Sequence, residues 1–190
     1  EAHALLEGWF TTLFEKTWVE GSRWVFPAQP AFVEAVQSHY ADPDVYPIDA
    51  RGLLFTYIFF SPKRLGEGQF YLMVISDEAG EPLDGARSYR LVVPANAPVR
   101  QYWSATVYDR KTHAFIRDMP HAGRSSQSPG IQSNADGSVD LYFGPSAPAG
   151  KEANWTPTSA DGRFEVLFRF YGPEPALFDK SWSLPDLTRL

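Results

Sequence analysis

Two strand-like stretches and one loop concentrate the side chains able to do chemistry. In QYWSATVYD, residues 101–109, strict alternation puts Tyr102, Ser104, Thr106 and Tyr108 on one side and Trp103, Ala105 and Val107 on the other. In FEVLFRFY, residues 164–171, Phe164, Val166, Phe168 and Phe170 make an apolar face, with Glu165, Leu167, Arg169 and Tyr171 opposite. A sheet with one apolar face and one Tyr/Ser/Thr/Arg face suits a small polar ligand. The rings give contact area, and the hydroxyls and guanidinium give orientation. The same pattern also describes the solvated or helix-covered outer face of a sandwich, and that reading is preferred.

The loop is PAGKEANWTPT, residues 148–158. A large indole is unusual in a loop, where small polar residues normally reverse the chain. Lys151, Asn154, Trp155 and Arg169 together offer a ring, an amide and two cations, which suit an anionic or polyhydroxylated ligand. That function requires Lys151, Asn154 and Arg169 to reach one cavity with Trp155 as a wall. The preferred alternative is an architectural plug, with Trp155 buried and Lys151 pointing into water.

Other chemistries lack their signatures. His3, His39, His113 and His121 show neither HxH nor HxxxH spacing, so they read as surface residues and no metal or other cofactor is expected. There is no GxSxG elbow, Walker loop or Rossmann glycine pattern. No pair of carboxylates is marked out as a glycosidase dyad. The serines of RSSQSPGIQS, residues 124–133, have no nearby base and read as a polar loop.

Composition narrows the classes further. With a net charge of −6 and no basic run, nucleic-acid binding is not expected. The absence of cysteine rules out disulfides and thiol catalysis. No apolar run approaches the ~18 residues of a membrane helix. Aromatic residues reach 15%, which fits either a ring-filled β core or a ring-lined cleft. The opening EAHALLEGWF carries neither a basic region nor a cleavage pattern and reads like the middle of a longer chain, leaving the compartment open.

The elements that must position these groups follow from periodicity. Leu5, Leu6, Trp9, Phe10, Leu13, Phe14 and Trp18 recur at helical spacing, predicting an amphipathic helix with Gly21 as its stop signal. Shorter helices are predicted near residues 30–41, with Pro30 in the first turn, and from Ala50, capped by Asp49, through Phe60. From Gln69 the period becomes two. QFYLMVIS, SYRLVVP, RQYWSATVYD, VDLYFG and RFEVLFRFYG are five strand candidates, separated by turn signals such as Asp136-Gly137 and Asp161-Gly162. The Pro-broken tail EPALFDKSWSLPDLTRL is expected to lie across them. Helices followed by strands predict a mainly β chain: a helical segment at 1–64 packed on an antiparallel β sandwich at 65–190.

Three segments in order carry a resemblance: GEPLDGARSYRLVVPANAPVRQYWSATVYD, NADGSVDLYFGPSAPAGKEANWTPT and FEVLFRFYGPEPALFDKSWSLPDL. From about residue 45 onward the chain resembles the C-terminal module of bacterial proteins carrying domains of unknown function 1254 and 1214. The resemblance implies a jelly-roll-like sandwich with helices on its N-terminal side. It further implies a partner domain of the 1254 type upstream and, from a secretion signal that many relatives carry, a periplasmic or secreted location. Trp103, Tyr108, Asp109, Lys151, Glu152, Asn154, Trp155 and Tyr171 match family positions, none with an assigned role.

Three functions stay open. The chain can be a binding or accessory module for a small polar or glycan-like ligand, or for a partner domain. It can be a metal-independent hydrolase or lyase using Tyr, Lys and carboxylates as acid and base. Or it can be a structural module completing a larger protein. The candidate binding residues are Tyr102, Ser104, Thr106, Tyr108, Lys151, Asn154, Trp155, Arg169 and Tyr171. The oligomeric state is not legible.

Overall fold

The computed structural model describes residues 2–27 and 68–190. The predicted helices near 30–41 and 50–60, and the division at 64/65, lie outside the described residues. The described elements are helix α1 (Ala2–Thr12), a 3-10 turn (Leu13–Glu15), strands β1 (Gln69–Val74), β2 (Tyr89–Val93), β3 (Val99–Asp109), β4 (Gly123–Ser125), β5 (Val139–Gly144), β6 (Trp155–Pro157), β7 (Phe164–Pro173) and β8 (Thr188–Arg189), a second 3-10 turn (Glu152–Asn154) before β6, and a helical turn α2 (Pro175–Phe178) before β8.

The strands form two four-stranded sheets, ordered β1-β7-β3-β4 and β6-β5-β2-β8. The five predicted strands are all present, and mainly β structure follows the N-terminal helix. Pairing is antiparallel except that β6 runs parallel to β5. One apolar cluster joins the inner faces. It contains Phe164, Val166, Phe168 and Phe170 of β7, Trp103, Ala105 and Val107 of β3, and Leu91 and Leu141 of the second sheet. Phe168 is fully buried and stacks on Trp103, with ring centroids 5.5 Å apart. The alternation in the sequence therefore identified the core face of both long strands.

Three short strands were not predicted. At β4, Gly123 permits close pairing: a Cβ there would stand 2.2 Å from the Ala105 carbonyl oxygen. β6 begins within the loop that carries Trp155. β8 pairs Thr188 and Arg189 with Arg90 and Tyr89, so the tail adds an edge strand to the second sheet. The tail also buries Leu177, Leu184 and Leu187 against the common core, as its expected course across the sandwich requires.

The N-terminal helix ends earlier than its apolar stripe suggested. The helix gives way to a 3-10 turn at Leu13–Glu15, and Gly21 instead lies in a later turn at φ +81°. Tertiary pairing competes successfully with helix continuation here. Trp18 N–H donates to the Trp24 carbonyl at 2.8 Å, and Val25 exchanges two 2.9 Å backbone bonds with Met73 of β1. The segment is fastened at its far end as well, because the Trp24 indole N–H donates to the Pro185 carbonyl at 2.8 Å.

Candidate ligand-binding face

The outer face of the first sheet divides into two polar groups separated by a buried apolar strip. Register fixes the rows. Tyr102 and Gln69 flank Tyr171, Ser104 and Tyr71 flank Arg169, and Thr106 and Met73 flank Leu167. Glu165 lies opposite Tyr108 in the next row. Met73 and Leu167 are buried, whereas Tyr71, Tyr102, Ser104, Arg169 and Tyr171 are half-buried.

Arg169 organises the first group. Its Nη1 donates to Thr106 Oγ1 at 2.8 Å, and its Nη2 donates to the Tyr108 hydroxyl. The guanidinium lies 5.7 Å from the ring centroids of both Tyr71 and Tyr108, within cation–π range. Beside it the Tyr102 and Tyr171 rings stack at 4.1 Å and 16°. Burial pushes the Tyr71 hydroxyl above its ordinary range, so it stays a neutral donor and acceptor. Two anchors hold the guanidinium in one orientation, and its fork geometry can present further N–H groups to an oxyanion or vicinal hydroxyls. Tyr102, Ser104, Thr106, Tyr108, Arg169 and Tyr171 are thus gathered on one face.

A second group surrounds His113, which sequence reasoning placed on the surface. The ring is buried at 6% exposure, beside Glu165 at 2%. Its Nδ1 lies 3.0 Å from Glu165 Oε1, and its Nε2 lies 2.8 Å from Glu7 Oε1 on α1. Arg110 Nη1 donates to Glu7 Oε2 at 2.9 Å and its guanidinium covers the Phe10 ring at 4.5 Å. The sequence DRKTH builds this corner. Asp109 Oδ1 accepts from Lys111 and Thr112 N–H, and His113 N–H donates to the Asp109 carbonyl at 2.8 Å. His113 adopts φ +53°, a left-handed conformation rare for a residue with a Cβ.

Two short contacts to one imidazole require two protons. Burial opposes charge on His113, yet the hydrogen bonds and charges of Glu165 and Glu7 outweigh it and raise its pKa. Burial pushes Glu165 up more than His113 pulls it down. Burial also raises Glu7, but hydrogen bonds from His113 and Arg110 more than offset this and lower it. A proton therefore resides in the His113–Glu165 pair, and negative charge sits on Glu7 facing Arg110. Both ring nitrogens are occupied, so the cluster joins α1 to the sheet. Glu165 was the available signal: a carboxylate between Phe164 and Val166 in a core strand must have a partner.

The KEANW loop lies elsewhere. Asn154 is 1% exposed. Its Oδ1 accepts from Gln132 N–H, and its Nδ2 donates to the Gln132 and Asp140 carbonyls, each at 2.8 Å. Trp155 is half-buried rather than fully buried, and its indole N–H donates to the Gly144 carbonyl at 2.9 Å. Lys151 Nζ donates to Gln132 Oε1 at 3.2 Å. Arg124 Nη2 reaches the Glu152 carbonyl at 3.2 Å, joining the β4 edge of one sheet to the β6 edge of the other. Lys151, Asn154 and Trp155 thus bond within the second sheet and its loops, while Arg169 bonds Thr106 and Tyr108 on the first. Among the described residues the two sets share no hydrogen-bond partner.

Comparison with known proteins adds the family. No curated protein matches the chain. Among solved structures, the VPA0106 protein from Vibrio parahaemolyticus is 20% identical over 76% of this chain, with a TM-score of 0.61. A protein of uncharacterised role from Burkholderia cenocepacia is 16% identical over 84% of the chain, with a TM-score of 0.42. The chain spans 35% of the Vibrio chain and 47% of the Burkholderia chain. The family profile described as protein of unknown function (DUF1214) matches residues 68–175, which takes in β1 through β7, and the chain belongs to that family.

Proposed function

We propose that this chain is a binding module whose ligand lies against the Arg169 face of the first sheet and is a small acidic, sugar-like molecule. The observation that carries this reading is the doubly anchored guanidinium between Tyr71 and Tyr108, beside the stacked Tyr102–Tyr171 pair. A carboxylate suits the guanidinium, and sugar C–H faces suit tyrosine rings. In a chain of net charge −6, an anionic ligand needs such a local cation. Calorimetric titration with an oligosaccharide of uronic acids and with its neutral counterpart tests the reading. Saturable binding of the acidic form alone is expected. Binding of neither would refute it.

The enzymatic alternative is favoured by one feature, the guanidinium hydrogen-bonded to the Tyr108 phenol oxygen, because a phenol beside a cation is equipped for proton transfer. Lyase action on the same oligosaccharide would release a product with a new C=C bond, detectable by ultraviolet absorbance; no rise in absorbance would exclude lyase action on that substrate. A third reading is a role with a partner domain, a 1254-type domain being one candidate; that the Vibrio chain extends well beyond the 35% spanned here leaves room for such a domain in a relative. Co-purification of separately expressed segments of a full-length relative would test that role, and failure to associate would oppose it.

A further inference from the structure

Behind the His113 cluster lies a cavity of about 350 Å³, lined by Thr11, Phe14, Ser76, Gly80, Arg110 and Arg163 among others. Its walls come from the end of α1 and the following turn, the residues just after β1, and the two residues preceding and following long strands, Arg163 before β7 and Arg110 after β3. A third guanidinium packs on one of the lining residues without itself lining the cavity. Arg23 lies across Gly80, its Nη2 only 3.2 Å from where a Cβ would stand. Gly80 has φ +85°, so the turn both demands glycine and leaves room for that side chain.

Charge balance distinguishes the three arginines. Arg110 is committed to Glu7 through Nη1. Arg163 and Arg23 have no side-chain hydrogen bond or ion pair among the described residues; their recorded bonds run through the backbone, Arg163 carbonyl to Arg110 N–H and Arg23 N–H to Asp186. The nearby carboxylates have other partners: Asp84, bridged to Arg163 through the backbone, bonds Arg87 and Ala86 N–H, and Asp77, buried in the adjoining turn, bonds backbone. Its Oδ1 accepts from Ala79 and Glu81 N–H at 3.1 and 2.9 Å. Arg110 itself is held by the Glu7–His113–Glu165 chain and by the Phe10 ring, so one of the three cations is fixed before any ligand arrives.

We infer that this cavity binds a small dianion, a phosphate monoester or a dicarboxylate, held between Arg163 and Arg110, with the exposed Arg23 closing on it from beside Gly80. The Ser76 hydroxyl and Arg fork donors suit tetrahedral or planar oxyanions, and the Phe14 ring suits a short carbon skeleton. The site is separate from the Arg169 face and stands or falls independently of it.

The test titrates the 190-residue chain with inorganic phosphate and with succinate against chloride at matched ionic strength, following backbone amide NMR shifts. Saturable shifts of the Gly80 and Ser76 amides are expected with one or both dianions. Phosphate alone indicates a phosphate ester, and succinate alone a dicarboxylate. Arg163→Gln and Arg23→Gln together should weaken binding at least about tenfold, the order expected for losing charged hydrogen bonds. Arg100→Gln, an exposed arginine at the other end of β3, should leave it unchanged. If the double variant does not fold, Arg163→Gln alone serves the same comparison. Absence of saturable shifts with both dianions, or equal affinity in the arginine variants, overturns the proposal.

Discussion

At the residue scale, burial converts ordinary side chains into structural or chemical devices. Glu165 sits in a core strand at 2% exposure, so removing it leaves the buried His113 ring without the partner of its Nδ1. We expect Glu165→Ala to cost about 3–5 kcal/mol in chemical denaturation, the range for breaking a buried ion pair. Phe168→Ala should cost roughly 3–5 kcal/mol through lost burial and a cavity. The His113 shift also carries a pH consequence. Its folded pKa is raised above the ordinary 6.5, so its stabilising contribution is complete below that value and is lost as pH rises through the folded pKa. Glu7 is lowered from 4.5, so its contribution is present above that value and is lost as pH falls through the folded pKa. Melting temperature should therefore fall on raising pH from about 6 to 9, and His113→Gln should flatten that decline. An equally steep decline in the variant would mean that another group governs it. None of this was visible from histidine spacing, because Glu7, His113 and Glu165 are brought together only by the fold.

At the element scale, the long strands were legible and the short ones were not. β3 and β7 run for 11 and 10 residues, long enough for the side-chain alternation over 102–108 and 164–170 to identify both their existence and their core face. β4, β6 and β8 have two or three residues each, too few for alternation to register, and their pairing is decided by what lies next to them. The helix stop was misplaced for a related reason. Trp18 continues the apolar stripe of α1, but it packs from a non-helical turn onto Phe70 of β1, with centroids 4.9 Å apart. The loop before β6 turns on its amide more than on its indole. Asn154 satisfies three backbone groups of two segments, so Asn154→Ala should destabilise by roughly 3 kcal/mol through buried groups left unpaired. A thermal melt unchanged by that substitution would contradict this account of the loop.

At the scale of the whole molecule, two sheets share one apolar core. The tail and the N-terminal segment close one side, where Trp24 bonds Pro185 and Leu187 is buried. The outer face of the first sheet keeps a half-buried guanidinium among tyrosines, on the side away from the common core. The sequence already suggested this face by its alternation of Tyr, Ser, Thr and Arg, but it could not show that Arg169 would be anchored twice or that Lys151 would bond elsewhere. The most direct measurement is calorimetric titration of an oligosaccharide of uronic acids into the wild-type chain and into Arg169→Lys. Lysine keeps the charge but lacks the planar fork, so folding should persist while affinity falls about tenfold or more. Equal affinity in the two chains, with both folded, would contradict the assignment of the ligand to this face.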